Sequence, residues 1–258
     1  MKTLKVVKIG GNIIDDEKAL QVFLQHFAQL KGPKLLVHGG GKLATQLSNT
    51  MNVEVKMVEG RRITDTQTLE IITMVYGGKI NKTIVAQLQA HGCNAVGFTG
   101  ADGNSIVSVK RPVKTIDYGF VGDVVKVNTL VTSLLLKNEV IPVFCAITHD
   151  ENGQLLNTNA DTITSELAIA FSKEFVVELY YCFEKSGVLA DATDETSVIN
   201  NINSDSYKSL LEKGIIANGM LPKMENCFYA LKGNVSKVCI GKTNMLFETD
   251  ALYTILTL

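Results

Sequence analysis

The sequence predicts a three-layer α/β sandwich built around a mainly parallel central sheet. Short apolar runs typical of buried parallel strands alternate with amphipathic helices, so that Leu4–Ile9 is followed by Asp15–Leu30 and then by Lys34–Val37. Alternation of this kind indicates strand–helix–strand units, which place helices against a parallel sheet. Several of the strands end in glycine, and ligands in open α/β sheets bind beyond the carboxyl ends of strands.

The composition limits the classes of function. The chain has 258 residues and a formal net charge of −1, which argues against a nucleic-acid partner because such a partner requires a basic surface. No apolar run reaches the roughly 18 residues that cross a bilayer, so we expect no membrane partner. The length allows two lobes, and a change in composition near Ser172–Glu174 divides them into residues 1–173 and 174–258.

The cysteines and histidines do not form a metal-ligand pattern. Five cysteines are scattered along the chain without CxxC spacing, and the four histidines show no i,i+4 pairs. Cysteines in this pattern are most often reduced and buried. We therefore expect no disulfide framework, no metal site built by the protein itself, and a cytoplasmic location.

Two strand ends combine lysine with consecutive glycines. Lys8-Ile9-Gly10-Gly11 places a mobile cation beside bare backbone N–H groups, and successive N–H groups form an anion-binding concavity. His38-Gly39-Gly40-Gly41-Lys42 opens a helix, whose N-terminus also favours an anion. The alternative for each stretch is a simple strand–helix turn. Neither has GxxxxGK[ST] or GxGxxG spacing, so neither predicts a P-loop or a dinucleotide-binding loop.

Two further stretches carry polar groups suited to binding. The turn Gly60-Arg61-Arg62-Ile63-Thr64 follows a predicted strand, Val53–Val58, and one arginine there is suited to clamp a carboxylate. The alternative is a solvated surface pair. Asn157-Thr158-Asn159-Ala160-Asp161 precedes an apolar-faced helix and is more polar than one helix cap requires, although a cap is the alternative role.

The remaining chain is predicted to be regular apart from two segments. Asp65–His91 has a helical period that is interrupted at Gly77-Gly78, and Asp191–Ser204 is polar without a clear period, as in a surface excursion. Two helices and two strands are then predicted over Asp205–Lys213, Met220–Leu231, Val235–Ile240 and Leu252–Leu256.

Taken in order, these stretches resemble the amino acid kinase family. The resemblance spans nearly the whole chain, and its most specific part is the arginine turn combined with Asn-x-Asn-Ala-Asp. It implies an amino acid kinase-like sandwich, closest to the branch that acts on N-acyl-glutamates. The motifs that carry it are Lys8-Ile9-Gly10-Gly11, His38-Gly39-Gly40-Gly41-Lys42, Gly60-Arg61-Arg62-Ile63-Thr64, Asn157-Thr158-Asn159-Ala160-Asp161 and Gly219-Met220-Leu221-Pro222-Lys223.

The resemblance implies ATP-dependent phosphorylation of the side-chain carboxylate of N-acetyl-L-glutamate, or of another N-acyl-glutamate such as N-succinyl-glutamate, in arginine biosynthesis. The N-terminal lobe would bind the amino acid and form a homodimer, and the C-terminal lobe would bind ATP, with Mg²⁺ held through the nucleotide phosphates. Motif matching makes Lys8, Lys223 and Asp161 the catalytic residues. The implied substrate contacts are Gly40, Gly41, Arg62 and Asn157, and the implied phosphate and nucleotide contacts are Gly10, Gly11, Glu184, Lys185, Ser186, Gly187, Val188, Leu189, Ile216 and Ala217.

The implied reaction agrees with the residue types. A carboxylate is already ionised at pH 7, so it attacks phosphorus without a general base. Such a kinase needs alignment and charge neutralisation, which lysines, glycine N–H groups and an orienting carboxylate supply.

The chain departs from the family pattern in three places. Glu184, followed by Lys185, stands where the family usually has an aspartate, so the adenine and ribose contacts transfer least well. Pro222 directly precedes Lys223. The chain also starts at the first strand, without the N-terminal helix of arginine-inhibited hexameric relatives, so we expect a homodimer without arginine feedback.

Three rival interpretations remain at the sequence level. The acceptor could be a related N-blocked carboxylate such as an aminoadipate. The chain could be a non-catalytic nucleotide or amino-acid sensor, although such a sensor would be free to lose Lys8, Lys223 and Asp161. A nicotinamide-dependent oxidoreductase is disfavoured by the missing GxGxxG spacing.

Overall fold

The computed structural model of the protein describes residues 1–58, 60–216 and 220–258. The predicted nucleotide contact Ala217, and Gly219 of the lysine motif, therefore lie outside the described residues. The helices are α1 Gly11–Ile14, α2 Glu17–Gln29, α3 Gly41–Thr50, α4 Thr66–Thr73, α5 Asn81–Ala90, α6 Leu130–Lys137, α7 Ala160–Phe171, α8 Ser204–Glu212 and α9 Leu221–Lys232, and a π-helix, Met74–Ile80, joins α4 to α5.

The strands alternate with these helices along the chain. Short 3₁₀ turns at Asp102–Asn104 and Thr243–Leu246 accompany them. In chain order the strands are β1 Thr3–Ile9, β2 Lys34–His38, β3 Met57–Val58, β4 Arg61–Arg62, β5 Ala95–Phe98, β6 Ile106–Lys110, β7 Gly122–Val127, β8 Ile141–Phe144, β9 Ile147–His149, β10 Leu155–Asn157, β11 Val176–Cys182, β12 Asn201–Ile202, β13 Lys237–Gly241 and β14 Tyr253–Leu256.

A mainly parallel central sheet confirms the predicted α/β class. Among the described residues eight strands form it, in the order β12-β14-β13-β11-β1-β2-β8-β5. Every neighbouring pair is parallel except β13 and β14. Strand β1 lies between β11 and β2, and its Lys8 is in register with Tyr181 on one side and Val37 on the other. The carboxyl ends of these three strands therefore meet at one edge of the sheet.

Burial explains why these segments are strands. Leu4, Val6, Val7 and Ile9 of β1 are wholly inaccessible, and every residue of β2 is buried, as a strand covered on both faces requires. Helix α7 packs on β1, β2 and β11, while α5 packs on β5 and β8. Within the described ranges, no helix is both long and apolar enough to cross a membrane.

A second, smaller sheet stands beside the carboxyl edge of the central sheet. It has the order β10-β9-β6-β7, in which β6 and β7 pair antiparallel. Isolated bridges join Thr64 to Gly119 and Val121 to Asn157. The arginine turn and the Asn157 stretch, which are far apart in sequence, are thereby brought together.

Three predicted elements are wrong in detail. Of the predicted strand Val53–Val58, the described structure assigns Met57–Val58 as a strand, and this strand pairs with the equally short strand Arg61–Arg62. The helix from Asp65 is not interrupted at Gly77-Gly78, since the chain continues there as the π-helix. The segment Asp191–Ser204 is not wholly a surface excursion, because Asn201–Ile202 joins the central sheet beside β14.

Candidate active site

An ion pair between Lys8 and Asp161 stands at the carboxyl end of β1. Nζ of Lys8 lies 2.8 Å from Oδ1 of Asp161, and the two side chains are only 11% and 14% exposed. Asp161 occupies the first turn of α7, where the helix dipole favours an acid. The Asn159 side chain caps that helix by accepting from the N–H groups of Asp161 and Thr162, at 2.8 and 3.1 Å. The cap and the strand together fix the pair.

Lys223 approaches the same point from the first turn of α9. Its Nζ lies 4.0 Å from the centre of the Phe183 ring, while Nζ of Lys8 lies 5.7 Å from that centre. The two ammonium nitrogens are therefore no more than 9.7 Å apart, the sum of these two distances. Burial lowers the pKa of Lys223; the nearby Asp161 opposes this lowering and Lys8 adds to it.

A cleft of about 900 Å³ opens on one side of these lysines. Lys8 and Lys223 both line it, together with Gly10 and Gly11 at the end of β1. Of the predicted nucleotide contacts, Ser186 does not line the cleft. The predicted nucleotide contacts that line the cleft, besides Gly10 and Gly11, are Glu184, Lys185, Gly187, Val188, Leu189 and Ile216.

The rim of this cleft carries a small charged network. Nζ of Lys185 lies 2.9 Å from Glu195, and Nζ of Lys242 lies 3.1 Å from the other oxygen of the same carboxylate.

Gly187 lies against the last strand, where an added Cβ would stand 2.6 Å from Oγ1 of Thr254. The backbone there has no room for a larger residue.

A second cleft, of about 450 Å³, opens on the other side of Lys223. Its lining includes Asp161 and all four predicted substrate contacts, Gly40, Gly41, Arg62 and Asn157. Lys223 is a lining residue of both clefts, so the two clefts adjoin at this residue. Lys223 is therefore adjacent to any group that either cleft holds.

Hydrogen bonds to one nitrogen of the Arg62 guanidinium hold the group in place, and another nitrogen has no partner among the described residues. Its Nη2 donates to the Gly41 carbonyl at 2.9 Å and to Oγ1 of Thr45 at 2.8 Å. Its Nη1 is buried and has no hydrogen-bond partner among the described residues. Asn157 stands close by, since its Nδ2 donates to Oγ1 of Thr64 at 3.0 Å and Thr64 donates to the Arg62 carbonyl at 3.2 Å. A buried donor without a partner is suited to an anionic ligand.

The glycine loop between β2 and α3 is locked by its neighbours. Gly40 has φ +156° and an added Cβ would stand 3.0 Å from the Tyr76 ring, so only glycine fits. Beneath the loop, Nδ1 of His38 contacts the Gly39 carbonyl at 2.8 Å, and Nε2 lies 3.1 Å from Nδ2 of Asn81. Burial lowers the pKa of His38 to about 4, so the ring is neutral at pH 7.

Sequence reasoning missed several residues of the site. The Phe183 ring is near both lysines, and Asn81 contacts His38 at the base of the glycine loop from 43 positions away in sequence. Arg111 lines the second cleft and pairs with Asp123 at 2.6 Å. None of these has a spacing signal, because each is brought in by tertiary packing alone. The lobe division at 173/174 stays a prediction; it falls between α7 and β11.

In the described part of the chain, no group of three or more His, Cys, Asp or Glu side chains could hold a metal ion. The carboxylates near the lysines are Asp161, which is paired with Lys8, and Glu184 at the first cleft. This donor set fits a cation that arrives with phosphate oxygens as its main ligands, which is how Mg²⁺ is usually bound with nucleotides.

Two clefts that adjoin at a lysine, beside glycine-rich strand ends in an α/β sandwich, are the arrangement expected of a phosphotransferase. Residues 3–242 match the amino acid kinase family, and the chain belongs to that family. An acetylglutamate kinase from Cytophaga hutchinsonii is 54% identical over 96% of this chain and 94% of its own length. One from Phocaeicola vulgatus is 53% identical over 95% of each. The solved structure of smu.665 from Streptococcus mutans shares the fold, with a TM-score of 0.78, 23% identity and 98% of each chain covered.

Proposed function

We propose that this chain transfers the γ-phosphoryl group of ATP to the side-chain carboxylate of N-acetyl-L-glutamate, or of another N-acyl-L-glutamate such as N-succinyl-L-glutamate. The product is the acyl phosphate, and the pathway is arginine biosynthesis. Relatives that are 54% and 53% identical over nearly the whole chain are named acetylglutamate kinases. The observation that carries the proposal is the meeting of two clefts at Lys223, with Lys8 and Asp161 beside it.

The reaction needs no general base. A carboxylate oxygen of the substrate attacks the γ-phosphorus, a new P–O bond forms, and the bond from phosphorus to the β–γ bridging oxygen breaks to release ADP. The acceptor is ionised at pH 7, so no proton has to be removed. The cost of the reaction lies in bringing two anions together, and the protein meets it by neutralising charge on the transferring group.

Lys8 and Lys223 are assigned that neutralising role. Lys8 reaches the junction from the first cleft, and Lys223 lines both clefts. Asp161 holds Lys8 at 2.8 Å and so fixes the direction of the ammonium group. The N–H groups of Gly10 and Gly11 face the phosphoryl group. An added Cβ at Gly10 would lie 3.7 Å from Nζ of Lys8, so the backbone and the cation are close to the same space.

The acyl amino acid occupies the second cleft. The unpartnered Nη1 of Arg62 and the Asn157 amide grip its α-carboxylate, while Gly40 and Gly41 offer backbone N–H groups. This orientation directs the side-chain carboxylate of the substrate towards Lys223. The N-terminal lobe, residues 1–173, thereby holds the amino acid.

The nucleotide occupies the first cleft, on the C-terminal lobe of residues 174–258. Its adenine and ribose meet the segment Glu184–Leu189 and Ile216, and Ala217 is assigned there by motif alone. Mg²⁺ arriving with the nucleotide would supply further positive charge to its phosphates. The carboxylates that line this cleft are Glu184 and Asp191, and Glu184 is the one whose charge acts on Lys223, so Glu184 would be placed nearest to a cation that accompanies the phosphates.

We place this reaction in the cytoplasm and in a homodimer. All five cysteines are free and buried, which suits a reducing compartment. The central sheet ends at β5, whose Val96 is 40% exposed, and an edge strand of this kind is a common site of pairing between copies. Elution on a sizing column at the mass of a hexamer would contradict the dimer.

The function is tested by coupled ADP release with purified protein, Mg²⁺ and ATP. We expect turnover with N-acetyl- or N-succinyl-L-glutamate and little with unblocked L-glutamate, since the free amine changes the charge of the substrate. N-acetyl-aminoadipate, one methylene longer, serves as the length control. Activity on unblocked glutamate alone, or ADP release that no acyl-glutamate stimulates, would refute the proposal.

A further inference from the structure

We infer that Arg111 binds the acyl end of the substrate and that the preferred acyl group carries a carboxylate of its own, as N-succinyl does. This inference rests on the proposed function, because it names the substrate class of that same cleft. Arg111 has no role in the phosphoryl-transfer steps described above, yet it lines the amino-acid cleft together with Arg62 and Asn157.

Arg111 has one nitrogen free to bind a ligand. Its Nε donates to both oxygens of Asp123, at 3.1 and 3.2 Å, and its Nη2 donates to Oδ1 at 2.6 Å. Its Nη1 is buried and finds no hydrogen-bond partner among the described residues. A guanidinium has five N–H donors, and Asp123 engages only one edge of the fork. Leaving the other donors buried and unpaired is costly unless a ligand meets them.

Neighbouring contacts hold this guanidinium in a defined position. The Arg111 backbone N–H donates to the Val121 carbonyl at 2.8 Å, and the guanidinium stands 5.5 Å from the centre of the Tyr118 ring. Val121 in turn forms a backbone bridge with Asn157, which is assigned to the α-carboxylate. The segment that contains Val121 therefore separates Arg111 from Asn157. Arg111 does not line the nucleotide cleft, whereas Lys223 lines both. Arg111 therefore belongs to the part of the amino-acid cleft away from the phosphoryl group.

The charge of the cleft also favours a third carboxylate on the substrate. Among the described lining residues, the cations are Arg61, Arg62, Arg111 and Lys223, and the one carboxylate is Asp161. Two further charges lie just outside the lining. Lys8 pairs with Asp161 and Asp123 pairs with Arg111, so the added positive charge and the added negative charge cancel. N-acetyl-L-glutamate brings two negative charges, and N-succinyl-L-glutamate brings three.

The lining around Arg111 suits a short chain between two polar ends. The aliphatic side chains that line this cleft are Met57, Val121, Ala146, Ala160 and Pro222, and methylene groups of the acyl chain would lie against some of them. The acyl carboxylate would then accept from Nη1 of Arg111, while the α-carboxylate accepts from Nη1 of Arg62. Charge-assisted contacts of this kind contribute about tenfold to a hundredfold in binding.

The test compares four substrates of graded acyl chemistry in the coupled ADP-release assay. These are N-acetyl-, N-succinyl-, N-succinamoyl- and N-butanoyl-L-glutamate. The succinamoyl compound replaces the acyl carboxylate with an amide of the same size, and the butanoyl compound keeps the carbon chain without a polar end. We expect kcat/KM for N-succinyl-L-glutamate to exceed that for the amide by at least about tenfold, mainly through KM.

The Arg111→Gln variant should reduce this acid-to-amide ratio to near one, and Arg111→Lys should restore part of it. Lys110→Gln, at the neighbouring exposed position that ends β6, is the matched control and should leave the ratio unchanged. The wild-type ratio alone decides the matter if the Arg111 variants do not fold.

Each outcome has a separate meaning. A wild-type ratio near one, with good turnover of N-acetyl-L-glutamate, overturns the role of Arg111 and leaves the kinase function standing. If Arg111→Gln lowers kcat/KM for all four substrates to the same extent and the acid-to-amide ratio is retained, the arginine binds the α-carboxylate or supports the fold. That result also overturns the inference. Absence of turnover with every acyl-glutamate refutes the proposed function itself.

Discussion

At the scale of single residues, the two lysines differ in what holds them. Lys8 is only 9% exposed and is paired with Asp161, whereas Lys223 is half-buried and has no carboxylate within 4.0 Å in the described part of the chain. One lysine is therefore part of a fixed ion pair. The other keeps its charge available to whatever enters the clefts.

Lys8→Ala and Lys223→Ala should both reduce kcat, each by about a hundredfold to a thousandfold, because each removes charge stabilisation from the transferring group. Their effects on stability should differ. Lys8→Ala leaves Asp161 buried without its partner and should cost roughly 3–5 kcal/mol. Lys223→Ala removes a cation disfavoured by burial, so unfolding in urea should shift little.

The control for this comparison is Lys208→Ala, which removes a lysine that is 73% exposed on α8. Its kcat and its urea midpoint should match those of the wild type. Near-normal turnover in both Lys8→Ala and Lys223→Ala would show that neither lysine is catalytic.

His38 gives a pH dependence whose sign follows from its burial. Its pKa is lowered from 6.5 to about 4 in the folded protein, so the unfolded chain binds a proton that the folded chain does not between these values. Stability is therefore lost as the pH falls from 6.5 towards 4. The loss is roughly 3 kcal/mol at 1.36 kcal/mol for each unit of pKa.

Urea unfolding at pH 7.5 and pH 4 measures this loss. The His38→Asn variant lacks the titrating group, so it should not show this loss. On going from pH 7.5 to pH 4, the difference in free energy of unfolding between the variant and the wild type should therefore shift by roughly 3 kcal/mol in favour of the variant. A constant difference would mean that His38 titrates alike in both states.

At the scale of elements, the caps of two helices offer a matched pair. Asn159 accepts from two N–H groups at the start of α7, and Asn203 accepts from Asp205 and Ser206 at the start of α8, at 3.2 and 2.8 Å. Replacing either asparagine by alanine should cost about 1 kcal/mol of stability. Of these two helices, α7 carries a residue assigned to the chemistry, Asp161, and α8 does not.

Asn159→Ala should therefore lower kcat at least about tenfold through displacement of Asp161, while Asn203→Ala should leave kcat unchanged. Urea unfolding and coupled ADP release on the two variants separate the structural effect from the catalytic one. Equal kcat values for the two variants would show that the Asn159 cap does not position Asp161.

The elements also show how far local sequence patterns reach. The buried strands and most helices were predictable because periodicity and glycine positions are local properties. The strand Asn201–Ile202 was not, since two residues carry no period and their pairing depends on β14, more than 50 positions further along the chain. The continuous helix at Gly77-Gly78 was missed because glycine lowers helix propensity but does not forbid a helix that is packed on its neighbours.

At the scale of the whole molecule, the sequence predicted which motifs belong together but not how they are arranged. Lys8, Asp161 and Lys223 are grouped by their order along the chain and by the family resemblance. Their junction between two clefts depends on the strand order β11-β1-β2 and on the placement of α9, which no local pattern contains. Arg111 was missed for the same reason, because its relation to Asn157 passes through strand pairing.

The meeting of the clefts predicts a pattern of ligand effects on thermal stability. A non-hydrolysable ATP analogue with Mg²⁺, or the acyl-glutamate, each at about 100 times its Kd, should raise Tm by roughly 5–10 °C. Arg62→Gln should remove most of the shift given by the acyl-glutamate and keep that given by the nucleotide, because Arg62 lines one cleft. Lys223→Ala should reduce both shifts, because Lys223 lines both clefts. Differential scanning fluorimetry measures each shift against the unliganded variant. A nucleotide shift that is unchanged in Lys223→Ala would mean that the lysine does not reach the phosphates, and the two clefts would then not share a reaction centre.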